Sequence, residues 1–550
     1  MIRTFLASLL AFCFITSCQV QSPVLQADQS QEIPFDWKHS TVYFLLTDRF
    51  NNVDKSNDFP LERKKDAALL RGYEGGDFKG IIQKLDEGYF KELGVSALWL
   101  TPIVEQIAGS VDEGTGKTYG FHGYWTKDWT AIDPNLGTKA EFKSLVEKAH
   151  QQGIRIVLDA VINHTGPVTE IDPKYPSNWV RTSPQCTYEG YGTTVPCTLV
   201  ANLPDILTES SSEVALPEML VEKWKKEGRY EEEVQELDAF FQKTGYPRAP
   251  KYYIIKWLSD YILDYGIDGY RLDTVKHTEP DVWKDFANVT QESFQQYKVD
   301  HPSDLQKGVE FFLVGEVYGY GISQHLNYDF GDRKVNYFNE GIPALINFDF
   351  KGDANKSYEE LFSYYNEKLS GPMGSNTVMN YLSSHDDGSP FDKERKRTFE
   401  AATKLLLSPG IAQIYYGDET ARALIVPGAE GDANLRSVMN WSDLEKDAST
   451  KALFQHYSKL GRFRQAHPAI GEGEHKMISS SPYYFSRVKG DDKVIVGLDL
   501  PKGEKSVEVA AHFSEGSLLH DFYSGTEVIV QGGKAKFSTP YEIVLLEKIK

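Results

Sequence analysis

Three acidic residues stand where strongly apolar segments of the chain end. Asp273 follows the run IDGYRL, Glu316 follows FFLVG, and Asp386 follows NTVMNYLSSH. A carboxylate next to buried apolar residues is costly unless it is paired or used in chemistry. A fourth segment of the same kind, DAVINH, spans residues 159–164. These four segments are therefore the candidate functional positions of the chain.

The neighbours of each acid suggest a role for it. Arg271 and Asp273 are two residues apart, so in a strand they point the same way, and the arginine would keep the carboxylate ionised as a nucleophile requires. A structural ion pair is the alternative. Desolvation of Glu316 would raise its pKa, which suits a general acid, although a structural role is equally compatible. Within SSHDD the assignment stays open, because Ser384 or Asp387 could instead cap a helix.

Short β-branched runs alternate with amphipathic helical stretches from about Trp37 onward. Helices are predicted over 81–93, 139–152 and 251–265, between apolar runs such as VSALWL and IRIVLDA. This alternation predicts an α/β fold, a (β/α)8 barrel, whose active site lies at the C-terminal ends of the strands. Three acids at such ends suit glycoside hydrolysis. Its retaining form needs two carboxyls about 5–5.5 Å apart, and an inverting enzyme needs a wider gap.

Two regions interrupt this alternation of strands and helices. Residues 165–250 contain Pro, Gly and Cys without a regular pattern, which predicts an irregular subdomain inserted after the third strand. Alternating strands with Gly and Asp turns near the end predict an antiparallel β-domain. The predicted domains are a signal peptide (1–17), a polar tether (18–36), a barrel (37–467) that contains the insertion (165–250), and a C-terminal β-domain (468–550).

The N-terminus has the features of an export signal. One Arg precedes an apolar run from Phe5 to Ile15, and the tetrapeptide ITSC that ends at Cys18 resembles a bacterial lipobox. We predict lipidation of Cys18, with an ordinary signal peptide as the alternative. The residue after it, Gln19, favours the outer membrane. The predicted location is therefore that of a periplasmic or outer-membrane lipoprotein of a Gram-negative bacterium.

Composition narrows the possible partners. The net charge of −20 and the pI of about 5.2 disfavour nucleic acid and anionic membrane, and fit a neutral substrate and bound cations. We predict no nucleic-acid partner, membrane contact only through the lipid anchor, and a monomer. Cys186 and Cys197 are expected to form a disulfide in an exported protein, with two free thiols as the alternative.

The segments DAVINH, GYRLDTVKH, GEVY and SSHDD resemble, in order and spacing, the four motifs of the α-amylase family, glycoside hydrolase family thirteen. The resemblance runs from about Trp37 to the C-terminus. Within the family the chain is most similar to bacterial periplasmic α-amylases acting on maltodextrins, as ANLPDI, YGYG and RSVMNW indicate. This resemblance implies retaining endo-hydrolysis of α-1,4-glucans. Asp273 would be the nucleophile, Glu316 the acid/base, and Asp386 the residue that binds sugar hydroxyls and stabilises the transition state.

The resemblance also implies substrate contacts. Tyr124, in YGFHGYW, matches the tyrosine that stacks on the sugar at the cleavage subsite. The other matched positions are the hydrogen-bonding neighbours His164, Arg271 and His385, the leaving-group-side Lys276, and the pair Asp432 and Arg436 on the non-reducing side. For that last pair a surface i,i+4 ion pair is the alternative. Beyond LPDI the insertion cannot be aligned, so its substrate contacts stay unassigned.

Calcium is implied by the resemblance at two places. Asn163, Asp205 of LPDI and the backbone carbonyl of His277 match the family's structural site, which would hold the insertion against the barrel. A second cluster, DRFNNVDKSND followed by YEGGDFKG, resembles the N-terminal calcium loop of cyclodextrin-forming relatives. Its ligands would be Asn52, Asp54, Asn57, Asp58, Asp77 and the carbonyl of Gly75. Oxygen ligands suit a hard cation; an Asx-rich solvated turn is the alternative at the second place.

Two competing functions remain. A glucanotransferase, or a cyclodextrin-forming or cyclodextrin-cleaving enzyme, would share the covalent intermediate and differ in the acceptor. The chain shows no starch-binding domain of the kind that many cyclodextrin formers carry at the C-terminal end, which favours hydrolysis. A non-catalytic glycan-binding protein on the same scaffold would be expected to lack one of the acids, and all three are present.

Overall fold

A closed barrel of eight parallel strands forms the centre of the computed structural model, which describes residues 35–302 and 308–549. Each strand pairs with its neighbour in the chain, and the last pairs with the first. The strands are β1 (Thr41–Leu45), β2 (Ala97–Leu100), β3 (Arg155–Ala160), β4 (Gly269–Leu272), β5 (Phe312–Gly315), β6 (Ala344–Asn347), β7 (Thr377–Asn380) and β8 (Ile411–Tyr415). The predicted barrel is confirmed. The predicted signal peptide and Cys18 lie outside the described residues.

Within residues 35–302 and 308–549, nine longer helices accompany the strands. They are α1 (Phe78–Asp86), α2 (Lys139–Gln151), α3 (Glu218–Glu227), α4 (Tyr230–Thr244), α5 (Pro250–Tyr265), α6 (Pro280–Asp300), α7 (Tyr358–Ser370), α8 (Thr398–Leu406) and α9 (Ala448–Ala466). The helix predicted over 81–93 is in fact α1 and a short helix, Tyr89–Glu92, because Gly88 between them adopts φ +75°. In the described ranges, no helix is long and apolar enough to cross a membrane.

The segment inserted after β3 is less irregular than the sequence suggested, because it contains α3 and α4. Lys223 of α3 lies 2.7 Å from the carboxylates of both Glu105 and Asp128, which tie the helix to the barrel. Earlier in the insertion, Cys186 and Cys197 form the expected disulfide. A two-residue ribbon, Val180–Arg181 with Asp205–Ile206, then returns the chain towards β3.

An antiparallel β-domain ends the chain, as predicted. It comprises β9 (Glu474–Ser480), β10 (Tyr483–Lys489), β11 (Asp492–Leu498), β12 (Gly503–Glu508), β13 (Leu518–Asp521), β14 (Thr526–Ile529), β15 (Lys534–Thr539) and β16 (Val544–Lys548). Six of these strands form one sheet in the order β9-β10-β11-β16-β13-β14, and β12 pairs with β15. Alternate residues of these strands, such as Val507 and Phe537, face a separate small core.

Candidate active site

Arg271, near the C-terminal end of β4, lies at the centre of a cluster of buried carboxylates. Its Nη1 is 2.8 Å from Asp159 Oδ1 and 2.7 Å from Asp273 Oδ1, and its Nη2 is 3.0 Å from Glu316 Oε2. The parallel register of β3, β4 and β5 brings these residues to one end of the barrel. A single buried guanidinium thus pairs with three carboxylates, whereas the sequence predicted its pairing with one.

Among the three candidate catalytic acids, Glu316 is the one whose pKa is raised by its surroundings. Burial raises its pKa to about 8; the charge of Arg271 opposes this shift, and Asp273 and Asp386 add to it. The backbone N–H of Thr274 donates to Glu316 Oε2 at 2.9 Å. Thr274 holds φ +50°, an unusual conformation for a β-branched residue, directly after Asp273. The turn after β4 therefore orients Glu316 as well as Asp273, and the raised pKa favours the protonated form of Glu316 at neutral pH.

Asp386 is more open to solvent than the other two acids, with about a third (33%) of its side chain exposed. Burial disfavours its charge, but His385, Arg271 and Arg436 outweigh that effect and lower its pKa. The hydroxyl of Ser384 donates to its Oδ1 at 3.0 Å. Within SSHDD, the next acid, Asp387, is buried and pairs with Lys351 and with the hydroxyl of Tyr381, so Asp386 is the acid that is open to solvent.

Tyr124 and His385 form an aromatic wall beside the acids. Their rings stack with centroids 5.1 Å apart and planes 16° apart. Tyr124 donates its hydroxyl proton to Asp159 at 2.7 Å, and its carbonyl oxygen lies 3.1 Å from His164 Nε2. Burial lowers the pKa of His385 to about 4, so this ring is neutral near pH 7. The structure therefore brings the predicted tyrosine and both histidines into one group.

Asp159 is a site residue that the sequence analysis placed in a candidate segment without giving it a role. It accepts hydrogen bonds from Tyr124 and, at 3.2 Å, from the indole of Trp99, and it pairs with Arg271. Burial raises its pKa to about 6; Arg271 opposes this and the charge of Asp273 adds to it. Its position at the end of β3, in DAVINH, was the available signal. What was missing was the pairing of Asp159 with Arg271 across the β3–β4 ladder.

The remaining predicted substrate residues lie on the flanks. Arg436 donates to the carbonyl of His385 at 2.9 Å and pairs with Asp432 at 2.8 Å. Asp432 also pairs with the buried Arg71 at 3.0 Å, so it belongs to a network and is not merely part of an isolated surface pair. Lys276 donates to the carbonyl of Tyr318 at 3.0 Å. These residues therefore form two groups beside the acids: Arg436 with Asp432, and Lys276 with Tyr318.

Two of the three members of the first predicted calcium set fit a hard cation. Asn163 Oδ1 and Asp205 Oδ1 are buried and find no hydrogen-bond partner among the described residues. Their segments are adjacent, because the N–H of Ile206 donates to the carbonyl of Asn163 at 2.8 Å. Asp205 uses its other oxygen to pair with Arg181 at 2.7 Å. The ring of His277 contacts the carbonyl of Thr194, 2.8 Å away in the insertion.

The second predicted set fits in part. Asn52 Oδ1 and Asn57 Oδ1 are also buried without a partner in the described part of the chain. Asn52 donates to Asp58 at 2.9 Å, and both pack so closely on Gly75 that a Cβ there would lie 2.2–2.3 Å from them.

The two remaining members of the second set have protein partners. Asp77 accepts the backbone N–H groups of Val53, Asp54 and Gly80. Asp54 departs from the prediction, since its carboxylate binds Lys79 and Ser56. Lys79 is 25 residues from Asp54, so sequence alone could not assign it this role.

Comparison with known proteins gives a consistent result. The family model described as alpha amylase, catalytic domain, matches residues 44–446. The periplasmic alpha-amylase of Escherichia coli is 34% identical over 86% of this chain and 73% of its own length. A cyclomaltodextrin glucanotransferase of Geobacillus stearothermophilus is 28% identical over 83% of this chain and 59% of its own length. An α-amylase structure from Geobacillus thermoleovorans, complexed with acarbose, superposes with a TM-score of 0.65 at 23% identity, covering 94% of this chain and 99% of that one.

Proposed function

The chain belongs to the α-amylase family, and from this premise we propose that it hydrolyses internal α-1,4-glucosidic bonds of starch or maltodextrins with retention of configuration. The observation that carries the proposal is geometric: at one barrel end, Arg271 lies 2.7 Å from Asp273 and 3.0 Å from Glu316, so a nucleophile and an acid face one cleft. Burial gives Glu316 a pKa of about 8, whereas nearby positive groups lower that of Asp386 despite its burial. An acid and a carboxylate in one cleft are what glycoside hydrolysis requires.

In the first step, a carboxylate oxygen of Asp273 attacks the anomeric carbon. The bond from that carbon to the glycosidic oxygen breaks, and Glu316 transfers its proton to the departing oxygen. Arg271, 2.7 Å from Asp273, favours the charged nucleophile. Asp273 and Glu316 bind the same guanidinium, so both carboxyls reach one cleft, as the covalent route requires.

In the second step, water attacks the anomeric carbon of the glycosyl-enzyme. Glu316, now a carboxylate, takes the water's proton, and the bond to Asp273 breaks. Asp386, with a third of its side chain open to the cleft, accepts hydrogen bonds from sugar hydroxyls. The stacked rings of Tyr124 and His385 provide a flat wall for the sugar.

Calcium would serve this site as a structural ion. The unpartnered oxygens of Asn163 and Asp205 would bind one ion, which would hold the insertion against β3 beside the cleft. The oxygens of Asn52, Asn57 and Asp58 would bind a second. Both sets supply hard oxygen donors, and neither is placed to take part in bond cleavage.

Export is part of the proposal. The apolar N-terminal run and the lipobox-like sequence ending at Cys18 support a lipid-anchored, periplasm-facing enzyme, as does the name of the Escherichia coli relative. Fractionation of cells that express the wild type and Cys18→Ala tests the anchor. Release of the variant into the soluble fraction is expected, and membrane retention of both would contradict it.

Glucosyl transfer is the second candidate, because glucanotransferases are among the relatives. The deciding experiment compares the products that the wild type and Glu316→Gln release from soluble starch, resolved by size. We expect linear maltooligosaccharides from the wild type and a loss of about 10²–10⁴-fold in the variant, the usual contribution of a general acid. The surface variant Glu394→Gln is the matched control. Cyclic or elongated products would favour transfer, and an active Glu316→Gln would contradict the site.

A further inference from the structure

A pocket between three helices is separate from the active site. Its lining comes from α4 of the insertion and from α5 and α6 of the barrel, and none of the active-site residues belongs to it. Its volume is about 300 Å³, at the lower end of the range of about 300–1,000 Å³ typical of small-molecule sites. The pocket therefore has room for a small organic ligand, which would touch the insertion and the barrel at once.

Each of the three helices contributes an apolar side chain to this pocket. These side chains are Phe240 of α4, Leu263 of α5 and Val289 of α6. Val289 is buried, whereas Phe240 is only half-buried and Leu263 is exposed. The pocket thus offers apolar surface that water still reaches and that the hydrocarbon part of a ligand would cover favourably.

Each helix also contributes at least one acid. The acids are Glu236 of α4, Asp260 and Asp264 of α5, and Glu292 of α6. The Nζ of Lys256 lies 2.5 Å from Glu236 Oε2 and 2.7 Å from Asp260 Oδ2, so one ammonium group serves these two acids. Within the described part of the chain, the carboxylates of Asp264 and Glu292 form no ion pair and no side-chain hydrogen bond. These two acids, on different helices, are therefore available to a ligand.

The charges and the apolar surface together restrict the class of ligand. Four carboxylates and the two ammonium groups of Lys243 and Lys256 line the pocket, which leaves an excess of two negative charges and disfavours an anion. A neutral ligand would cover the free carboxylates without compensating their charge. A bare metal ion would leave the apolar side chains uncovered. A hydrocarbon chain with a positive group at each end satisfies both features.

We propose that this pocket binds a linear aliphatic diamine. One ammonium end pairs with Asp264 and the other with Glu292, while the methylene chain covers Leu263 and Val289. Because the same ligand contacts α4, it holds the insertion against the barrel. The proposal does not depend on glucan hydrolysis, since the pocket contains none of the active-site residues.

Calorimetric titration of the intact protein with 1,5-diaminopentane at fixed ionic strength tests the binding. The matched ligand 1,5-pentanediol has the same chain without the charges, and magnesium chloride has the charge without the chain. We expect saturable binding of the diamine, no binding of the diol at the same concentrations, and no displacement of the diamine by an equal concentration of magnesium. Binding of the diol, or displacement by magnesium, would overturn the proposal.

Variants locate the bound diamine. Asp264→Asn/Glu292→Gln should bind it about tenfold more weakly, because two ion pairs are lost. Ala239→Leu fills part of the pocket without changing its charge and should also weaken binding. The matched control is Glu222→Gln, which removes an exposed acid of α3 outside the pocket and should bind the diamine as the wild type does.

Thermal unfolding gives a second readout. A ligand that binds only the folded protein raises its Tm, so the diamine should raise the Tm of the wild type and of Glu222→Gln more than that of Asp264→Asn/Glu292→Gln. Circular dichroism shows that each variant is folded. Equal affinity of the wild type and both pocket variants would overturn the proposal, because the diamine would then bind elsewhere, such as at the catalytic acids.

Discussion

Buried polar groups are stabilised in different ways at the barrel end and at the first calcium set. At the barrel end, Arg271 lies within 3.0 Å of three carboxylates, so the protein itself supplies the compensating charge. At the calcium set, Asn163 Oδ1 and Asp205 Oδ1 are buried without a partner in the described residues. The first arrangement is complete without an added ion, whereas the second leaves oxygen donors that an ion would satisfy.

This difference has a functional consequence. One cation serves three acids at the barrel end, and burial raises the pKa of Glu316 to about 8 and that of Asp159 to about 6, so at neutral pH the protonated form is favoured at Glu316. The calcium set has no such role in proton transfer. Changes of pH should therefore act on catalysis through the acids, and removal of metal should act on stability through the insertion.

The pH dependence of catalysis is the largest effect expected from this comparison. The general acid must be protonated, and burial, the first cause, sets the pKa of Glu316 at about 8. The kcat/KM of the wild type should therefore fall as pH rises through about 8, by about tenfold for each further unit. Initial rates from pH 6 to 10 measure this, with circular dichroism at each pH to show that the fold persists.

The charge of Asp386 sharpens the same prediction. It contributes to the raised pKa of Glu316, so Asp386→Asn should move the alkaline limb of the residual activity to lower pH. A wild-type limb centred below pH 6 would mean that Glu316 is ionised at neutral pH, which would remove the basis for its role as the acid.

Calcium removal is expected to lower stability. An ion that binds only the folded protein contributes about 2.7 kcal/mol at a free concentration 100 times its Kd. Chelation should therefore lower the Tm measured by calorimetry, and elemental analysis should find fewer bound calcium ions in Asp205→Asn and in Asn52→Ala than in the wild type.

A matched variant distinguishes ligands from neighbours. Asp54→Asn should leave the amount of bound calcium unchanged, because the carboxylate of Asp54 binds Lys79 and Ser56. If chelation left the Tm of the wild type unchanged, the unpartnered oxygens would be satisfied by water and the ion assignment would fail.

Local sequence predicted the barrel and the candidate acids because apolar strands and the residues at their ends are adjacent in the chain. It placed Asp159 in a candidate segment but gave it no role, because its partner Arg271 is 112 residues away. It also did not predict the engagement of Asp54 by Lys79, which lies 25 residues away. These two contacts join distant segments, which periodicity does not report. The two helices of the insertion are a different case, because α3 and α4 contain no Pro, Gly or Cys and their amphipathic pattern was overlooked within an otherwise irregular segment.

Tyr124 gives the smallest expected effect and the finest test of the barrel-end network. Tyr124→Phe removes the 2.7 Å hydrogen bond to Asp159 but keeps the ring that stacks on His385. We expect about a tenfold loss of kcat/KM, consistent with one hydrogen bond to a charged group at about 1.5–3 kcal/mol, with KM nearly unchanged. Tyr124→Ala should raise KM as well, because the ring is lost. If the two variants had the same kcat/KM and the same KM, the hydrogen bond from the Tyr124 hydroxyl to Asp159 would contribute more to catalysis than the contact of the ring with the sugar. The charge network of Asp159 and Arg271 would then be the main reason why Tyr124 is needed.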